Sequence, residues 1–130
     1  MGKKIKTTKK LTQSMEDYLE SIAILKKDKG VVRVKDISHL MGVKTPSVTS
    51  ALGTLSDGGF VVHERYSYVD LTPEGEKIAK SVYKKYRVLI KFFTEVLKIS
   101  PKAAAEDACK IEHSISSQTF EKLAQFIGGK

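Results

Sequence analysis

Three side chains toward the C-terminal end of the chain, Cys109, Glu112 and His113, stand at i, i+3 and i+4. On an α-helix that spacing places all three on one face, with Cβ atoms about 5–6 Å apart, close enough to share one divalent ion. Asp17 and Glu20 repeat the i, i+3 spacing in the first helical stretch. If the two stretches pack together, carboxylates, an imidazole and a thiolate converge. Oxygen donors with one nitrogen favour Mn2+ or Fe2+, and a thiolate softens the set toward Fe2+, Co2+ or Zn2+. The same residues also admit a plainer reading, with Asp17 a helix acid near the N-terminus, Cys109 a small core residue and His113 a surface side chain.

Catalysis is the weaker use of such a set. A metal-bound water beside Glu112 or His113 could hydrolyse a substrate, and Cys109 could act as a nucleophile. No glycine-rich phosphate loop, Ser-His-Asp order or second histidine cluster accompanies them, so the chain is not expected to be an enzyme.

Composition points to a polyanionic partner instead. There are 23 Lys and Arg against 15 Asp and Glu, a net charge of +8. Lys3, Lys4, Lys6, Lys9 and Lys10 form a basic arm without an acid. It reads either as a solvated tail or as a phosphate-contacting one. Hydrophobic residues make up 41% of the chain, enough to bury a core. A single cysteine excludes an intrachain disulfide framework and fits a reducing compartment. No apolar run approaches the roughly 18–20 residues that span a bilayer, and no signal core follows the basic start. A cytoplasmic protein without membrane association is expected.

Periodicity and punctuation give the elements that must carry these residues. Met15, Tyr18, Leu19, Ile22, Ala23 and Leu25 recur at three- and four-residue steps and predict a helix from its cap at Ser14 to about Lys27. A β-like step, Val31 to Val34, leads into a second helix, Lys35 to Met41, closed by Gly42. Thr45-Pro46-Ser47 starts a third, with a capping hydroxyl and then proline at the first helical position. Its apolar face is Val48, Ala51, Leu52 and Leu55. Phe60 to His63 and Tyr68 to Leu71 are β-prone and flank Glu64-Arg65-Tyr66-Ser67 as a hairpin. Thr72-Pro73-Glu74 opens a long helix through about Leu97. Pro101 opens a fifth to about Ser114, and Ser116 to Phe126 reads as a sixth, amphipathic through Phe120, Leu123 and Phe126.

Helix, helix, short turn, helix and hairpin is the order of a winged helix-turn-helix. The expected fold is mainly α: a basic arm over 1–11, a winged helix-turn-helix DNA-binding domain over 12–72, and a helical dimerisation and metal-binding domain over 73–130. A helix meant for the major groove exposes small polar or basic residues near its N-terminus. Lys44, Thr45, Pro46, Ser47, Thr49 and Ser50 meet that need, with Arg65 in the wing and Arg33 and Lys35 ahead of the second helix as further DNA contacts. One such module reads one half-site, so an inverted-repeat operator calls for a dimer. Leu89, Ile90, Phe92, Phe93, Val96 and Leu97 cover more of one helix than a lone surface helix requires, and suit burial against a second copy.

The runs Ser14 to Glu20, Val32 to Ile37, Pro46 to Thr49, Leu71 to Gly75 and Asp107 to Ser116, in order and with short spacings, resemble the diphtheria toxin repressor and manganese transport regulator family. The similarity extends from Thr12 to Phe126. It implies a homodimeric, metal-activated transcriptional repressor of the short architecture, without the SH3-like domain of longer members. It also implies that Asp17 and Glu20 match carboxylate ligands of manganese-type members, and that Glu112 and His113 match the Glu-His pair used throughout. Cys109 falls where iron-type members place a cysteine. Arg87 stands where a histidine ligand is usual, with Lys91 and Ala105 at two further ligand positions.

Two expectations follow from that mixed set. One is a Mn2+- or Fe2+-responsive repressor of metal-homeostasis genes that binds a palindromic operator. The other is a member of the same family that has lost metal dependence, a buried Arg87 pairing with Glu20 or Glu112 in place of a cation. A winged-helix architectural module without sequence preference is a third reading of the DNA-binding half.

Overall fold

The computed structural model describes residues 11–63 and 68–128. Arg65 and the lysine arm lie outside the described residues. The chain divides into two compact units, between Glu76 and Lys77.

The first unit is a winged helix-turn-helix. Helix α1, Gln13–Lys29, is capped by Thr12, whose hydroxyl accepts from the Met15 amide at 3.1 Å. The cap expected at Ser14 therefore sits two residues earlier, and the helix ends two residues later. Its periodic face is buried as expected, through Tyr18, Leu19, Ile22 and Leu25. Helix α2, Val34–Met41, starts at Arg33, whose amide donates to Asp36 Oδ2 at 3.0 Å. The expected β-like step shrinks to one bridge, Val32 to Val69.

Gly42 closes α2 with φ +69°, a left-handed conformation that suits glycine and turns the chain sharply. Ser38 fastens that turn, its hydroxyl donating to the Val43 carbonyl at 2.5 Å. Helix α3, Thr45–Asp57, follows. Thr45 is its first helical residue rather than its cap, and Pro46 the second. Lys44 holds the cap position without a side-chain bond, and its carbonyl accepts the Ser47 amide at 2.9 Å. Proline is still tolerated there, because the first four helical amides have no intrahelical partner.

Strands β1, Val61–His63, and β2, Val69–Leu71, pair antiparallel with Val61 opposite Leu71. Leu19, Ile22, Val32, Ile37, Val48, Leu52 and Leu55 are almost fully withdrawn from solvent and form the core under α1, α2, α3 and the wing. The wing then passes into helix α4, Pro73–Lys91, at a crowded junction. Thr72 caps α4, accepting from the Gly75 amide at 3.1 Å and donating to the Gly59 carbonyl at 2.7 Å. A Cβ at Gly75 would lie 2.0 Å from the Phe60 carbonyl oxygen, so only glycine fits.

The second unit holds the rest of α4 and two further helices. The sequence predicts one regular helix to about Leu97. Instead α4 gives way to a π-helical turn, Phe92–Val96, with the Leu97 amide bonded to the Phe92 carbonyl and Lys98 at φ +60°. Thr94 contributes: its hydroxyl donates to the Ile90 carbonyl at 2.9 Å and competes for a helical acceptor. Helix α5, Pro101–Ile111, is capped by Ser100, and helix α6, Ser117–Gly128, by Ser116. Helix α5 stops short of the expected Ser114, because the chain tightens into a turn in which the Ser114 amide bonds to the Ile111 carbonyl. Along α6 it is Ile127 that is buried. Phe126 is 49% exposed and sets its ring edge-on to Phe92 at 6.2 Å. Among the described residues, no helix is long and apolar enough to cross a membrane.

Candidate functional site

In the first unit, α3 divides cleanly. Val48, Ala51, Leu52 and Leu55 face the core, while Thr45, Pro46, Ser47, Thr49 and Ser50 are exposed, as is Lys44 in the turn before them. Small hydroxyl side chains on an exposed helix can approach base edges closely and act as both donors and acceptors. The fold thus presents as one surface the residues that the sequence singles out on this helix.

Arg33 and Lys35 are also exposed. Arg33 lies over the Tyr68 ring at 5.3 Å and donates to its hydroxyl at 3.4 Å. That hydroxyl raises the arginine pKa further, so the guanidinium stays charged. In the sequence Tyr68 reads as a β-prone residue of the wing, without its contact to Arg33. Beside it, Lys26 donates to Asp70 at 2.7 Å, which ties α1 to β2. The bond to the lysine holds the Asp70 carboxyl below its ordinary range, and the carboxylate in turn raises Lys26. Both groups are about half exposed, so the bridge orients the wing more than it stabilises the fold.

In the second unit, Glu112 and His113 come together directly after α5. His113 Nε2 lies 3.1 Å from Glu112 Oε2, and the two side chains are 2% and 0% exposed. A carboxylate in such a setting needs compensating charge or hydrogen bonds, and a carboxylate beside an imidazole is a common donor pair for a transition metal. Cys109 does not share their burial. The inward ridge of α5 is Ala104, Ala108 and then Glu112, whereas Cys109 is exposed. The shared face expected from i, i+3, i+4 is not met. Glu112 keeps helical angles, φ −54° and ψ −29°, and continues the Ala104–Ala108 ridge, whereas Cys109 lies about 100° round the helix from Ala108 and faces solvent.

Asp17 and Glu20 are half-buried in α1 of the first unit. Arg87 is not the buried cation that the sequence reading allows. It is exposed on α4, with its guanidinium over the Tyr83 ring at 5.9 Å.

Comparison with known proteins draws these two halves together. Residues 10–69 match the iron dependent repressor N-terminal DNA-binding domain, and residues 72–129 match the iron dependent repressor metal-binding and dimerisation domain. The chain belongs to the iron-dependent repressor family. Family membership makes it a transcriptional regulator rather than an enzyme, and one built from a DNA-binding part and a metal-binding, dimerising part.

Among curated relatives of this repressor family, the chain is 33% identical over 118 residues to an uncharacterised HTH-type transcriptional regulator of Methanocaldococcus jannaschii, covering 90% of this chain and 94% of that one. It is 33% identical over 116 residues to the HTH-type transcriptional regulator MntR of Lysinibacillus sphaericus, covering 89% and 83%. Among solved structures, the manganese regulator SloR superposes with a TM-score of 0.79 at 28% identity, over 92% of this chain and 56% of that one. ScaR with bound Zn2+ gives 0.76 at 28%, over 89% and 54%. The chain thus spans little more than half the length of these solved structures.

Proposed function

We propose that this chain is a divalent-metal-activated transcriptional repressor that binds an inverted-repeat operator as a homodimer and controls metal-homeostasis genes in the cytoplasm. The observation that carries the metal part is the buried Glu112–His113 pair at the end of α5. Asp17 and Glu20 supply the remaining carboxylates from α1. A set of carboxylates with one imidazole suits Mn2+ or Fe2+, and the similarity to the manganese regulator SloR supports that choice. Cys109 is the weakest member of the ligand set, since it is exposed.

The DNA part rests on the exposed face of α3, with Lys44, Thr45, Pro46, Ser47, Thr49 and Ser50 at the major groove and Arg33, Lys35 and Arg65 on the flanking backbone. Two such helices, one from each copy, must sit about 34–36 Å apart to enter successive major grooves. Ligands drawn from both α1 and the segment after α5 would hold the DNA-binding part to the dimerising part and narrow the range of that spacing. Without that tie, binding carries an ordering cost.

The reading is tested by calorimetric titration of Mn2+, Fe2+ and Zn2+ into the native chain and Glu112→Ala. Loss of most of the affinity in the variant is expected. Equal affinities, or negligible heats in both, would remove the site. The exposure of Arg87 gives no support to a metal-independent lock at that residue.

A further inference from the structure

The outer face of the wing carries two cations that are held in different ways. The Val69 amide donates to the Val32 carbonyl at 2.8 Å in an antiparallel bridge, and both valine side chains are buried. Side chains alternate across a strand, so the residues beside the bridge, Arg33 and Tyr68, stand next to each other on the outer face. Asp70, two residues along from Tyr68, is exposed on the same face and accepts from the Lys26 ammonium at 2.7 Å. A carboxylate thus cancels the charge of Lys26, which serves as a strut between α1 and β2. Arg33 is held by a phenol instead. Its guanidinium lies 5.3 Å from the centre of the Tyr68 ring and donates through Nη2 to the hydroxyl at 3.4 Å.

The difference bears on what each cation can do. Arg33 is fixed at its root as well as its head. Its amide donates to Asp36 Oδ2 at 3.0 Å, and its carbonyl accepts the Asp36 and Ile37 amides at the start of α2. A phenol is neutral near pH 7, so it steadies the guanidinium without cancelling its charge. The hydroxyl takes one of five N–H donors, which leaves enough for two bonds to one phosphate. A free arginine gives up rotamer freedom when it grips an anion, and one already held gives up less. Tyr68 itself is 49% exposed, so packing into the core does not account for it.

We propose that Tyr68 is a positioning residue for DNA binding, holding the charged Arg33 guanidinium at the base of the wing where it takes a backbone phosphate. The inference rests on the reading of Arg33 as a backbone contact and adds the residue that orders it. Phosphate contacts carry no base information, so Tyr68 contributes affinity rather than sequence choice.

The test measures affinity of the full chain, with Mn2+ present, for a selected inverted-repeat duplex and a random duplex over a series of salt concentrations. Tyr68→Ala should weaken both about fivefold or more with an unchanged salt slope, because the charge remains and only its ordering is lost. Tyr68→Phe keeps the ring and should fall between that variant and the native chain. Arg33→Ala should weaken both at least as much and lower the salt slope by about one for each bound copy. In the Arg33→Ala background, Tyr68→Ala should cost nothing further, a result that a purely structural tyrosine would not give. Native affinity in Tyr68→Ala would overturn the proposal alone. So would additive losses in the double variant, which would make Tyr68 a contact or a fold element in its own right. An unchanged affinity and salt slope in Arg33→Ala would instead remove the phosphate reading of Arg33, and the proposal with it.

Discussion

At the scale of single residues, a few contacts decide most of the chemistry. Glu112 and His113 were legible as a pair from their adjacency and the resemblance. Their burial was not, because spacing alone does not say which side of α5 faces inward. Cys109 shares the i, i+3, i+4 spacing but is exposed beside the buried Ala104–Ala108–Glu112 ridge. Removing the carboxylate leaves the imidazole as the sole donor at that turn, so Glu112→Ala should lower metal affinity by more than about tenfold. Gly75 makes a sharper structural prediction. With the Phe60 carbonyl 2.0 Å from any added Cβ, Gly75→Ala must move backbone. Urea unfolding should show a loss of about 3 kcal/mol. A loss under about 0.5 kcal/mol would mean the wing and α4 do not meet as described.

At the scale of elements, local punctuation named every helix in order and placed the ends to within a few residues. The misses have physical causes. The helix begins at Gln13, with the Thr12 hydroxyl on the Met15 amide and the Thr12 carbonyl on the Glu16 amide, so Ser14 already lies inside the first turn. The π-turn at Phe92–Val96 could not be read from hydrophobic periodicity, which does not register one extra residue inserted into a helical turn.

The wing offers a prediction in pH. Asp70 is depressed by Lys26, so its contribution is present above the ordinary aspartate range and is lost as pH falls through its lowered folded value. Asp70→Asn should cost less than about 1 kcal/mol at neutral pH and nothing near pH 2, as read by thermal melts. A constant difference across that range would place the effect elsewhere than the ion pair. For α3, Ser47→Ala with Thr49→Ala should abolish discrimination between operator sequences while the salt dependence of binding stays nearly unchanged. Hydroxyls read base edges, whereas the salt slope counts phosphate contacts.

At the scale of the whole molecule, the apolar set from Leu89 to Leu97 is expected against a second copy; within one chain Leu89 is already 1% exposed, and of that set only Leu97 is largely open. Leu97 is 50% exposed and Phe126 49% exposed, both in the unit matched to a dimerisation domain. Leu97→Asp should therefore shift the chain from dimer to monomer in sedimentation velocity, with little change in helix content. A variant that still sediments as a dimer would move the interface to another face.

The central claim is that metal occupancy in one part of the chain governs DNA recognition by the other. It is tested most directly by measuring affinity for an inverted-repeat duplex, selected from a random library, with Mn2+ and then with chelator at constant ionic strength. The account predicts a loss between about fivefold and 150-fold on chelation, against little change for random DNA. Identical affinity in both conditions, or no preference for the selected duplex over random sequence, would contradict it.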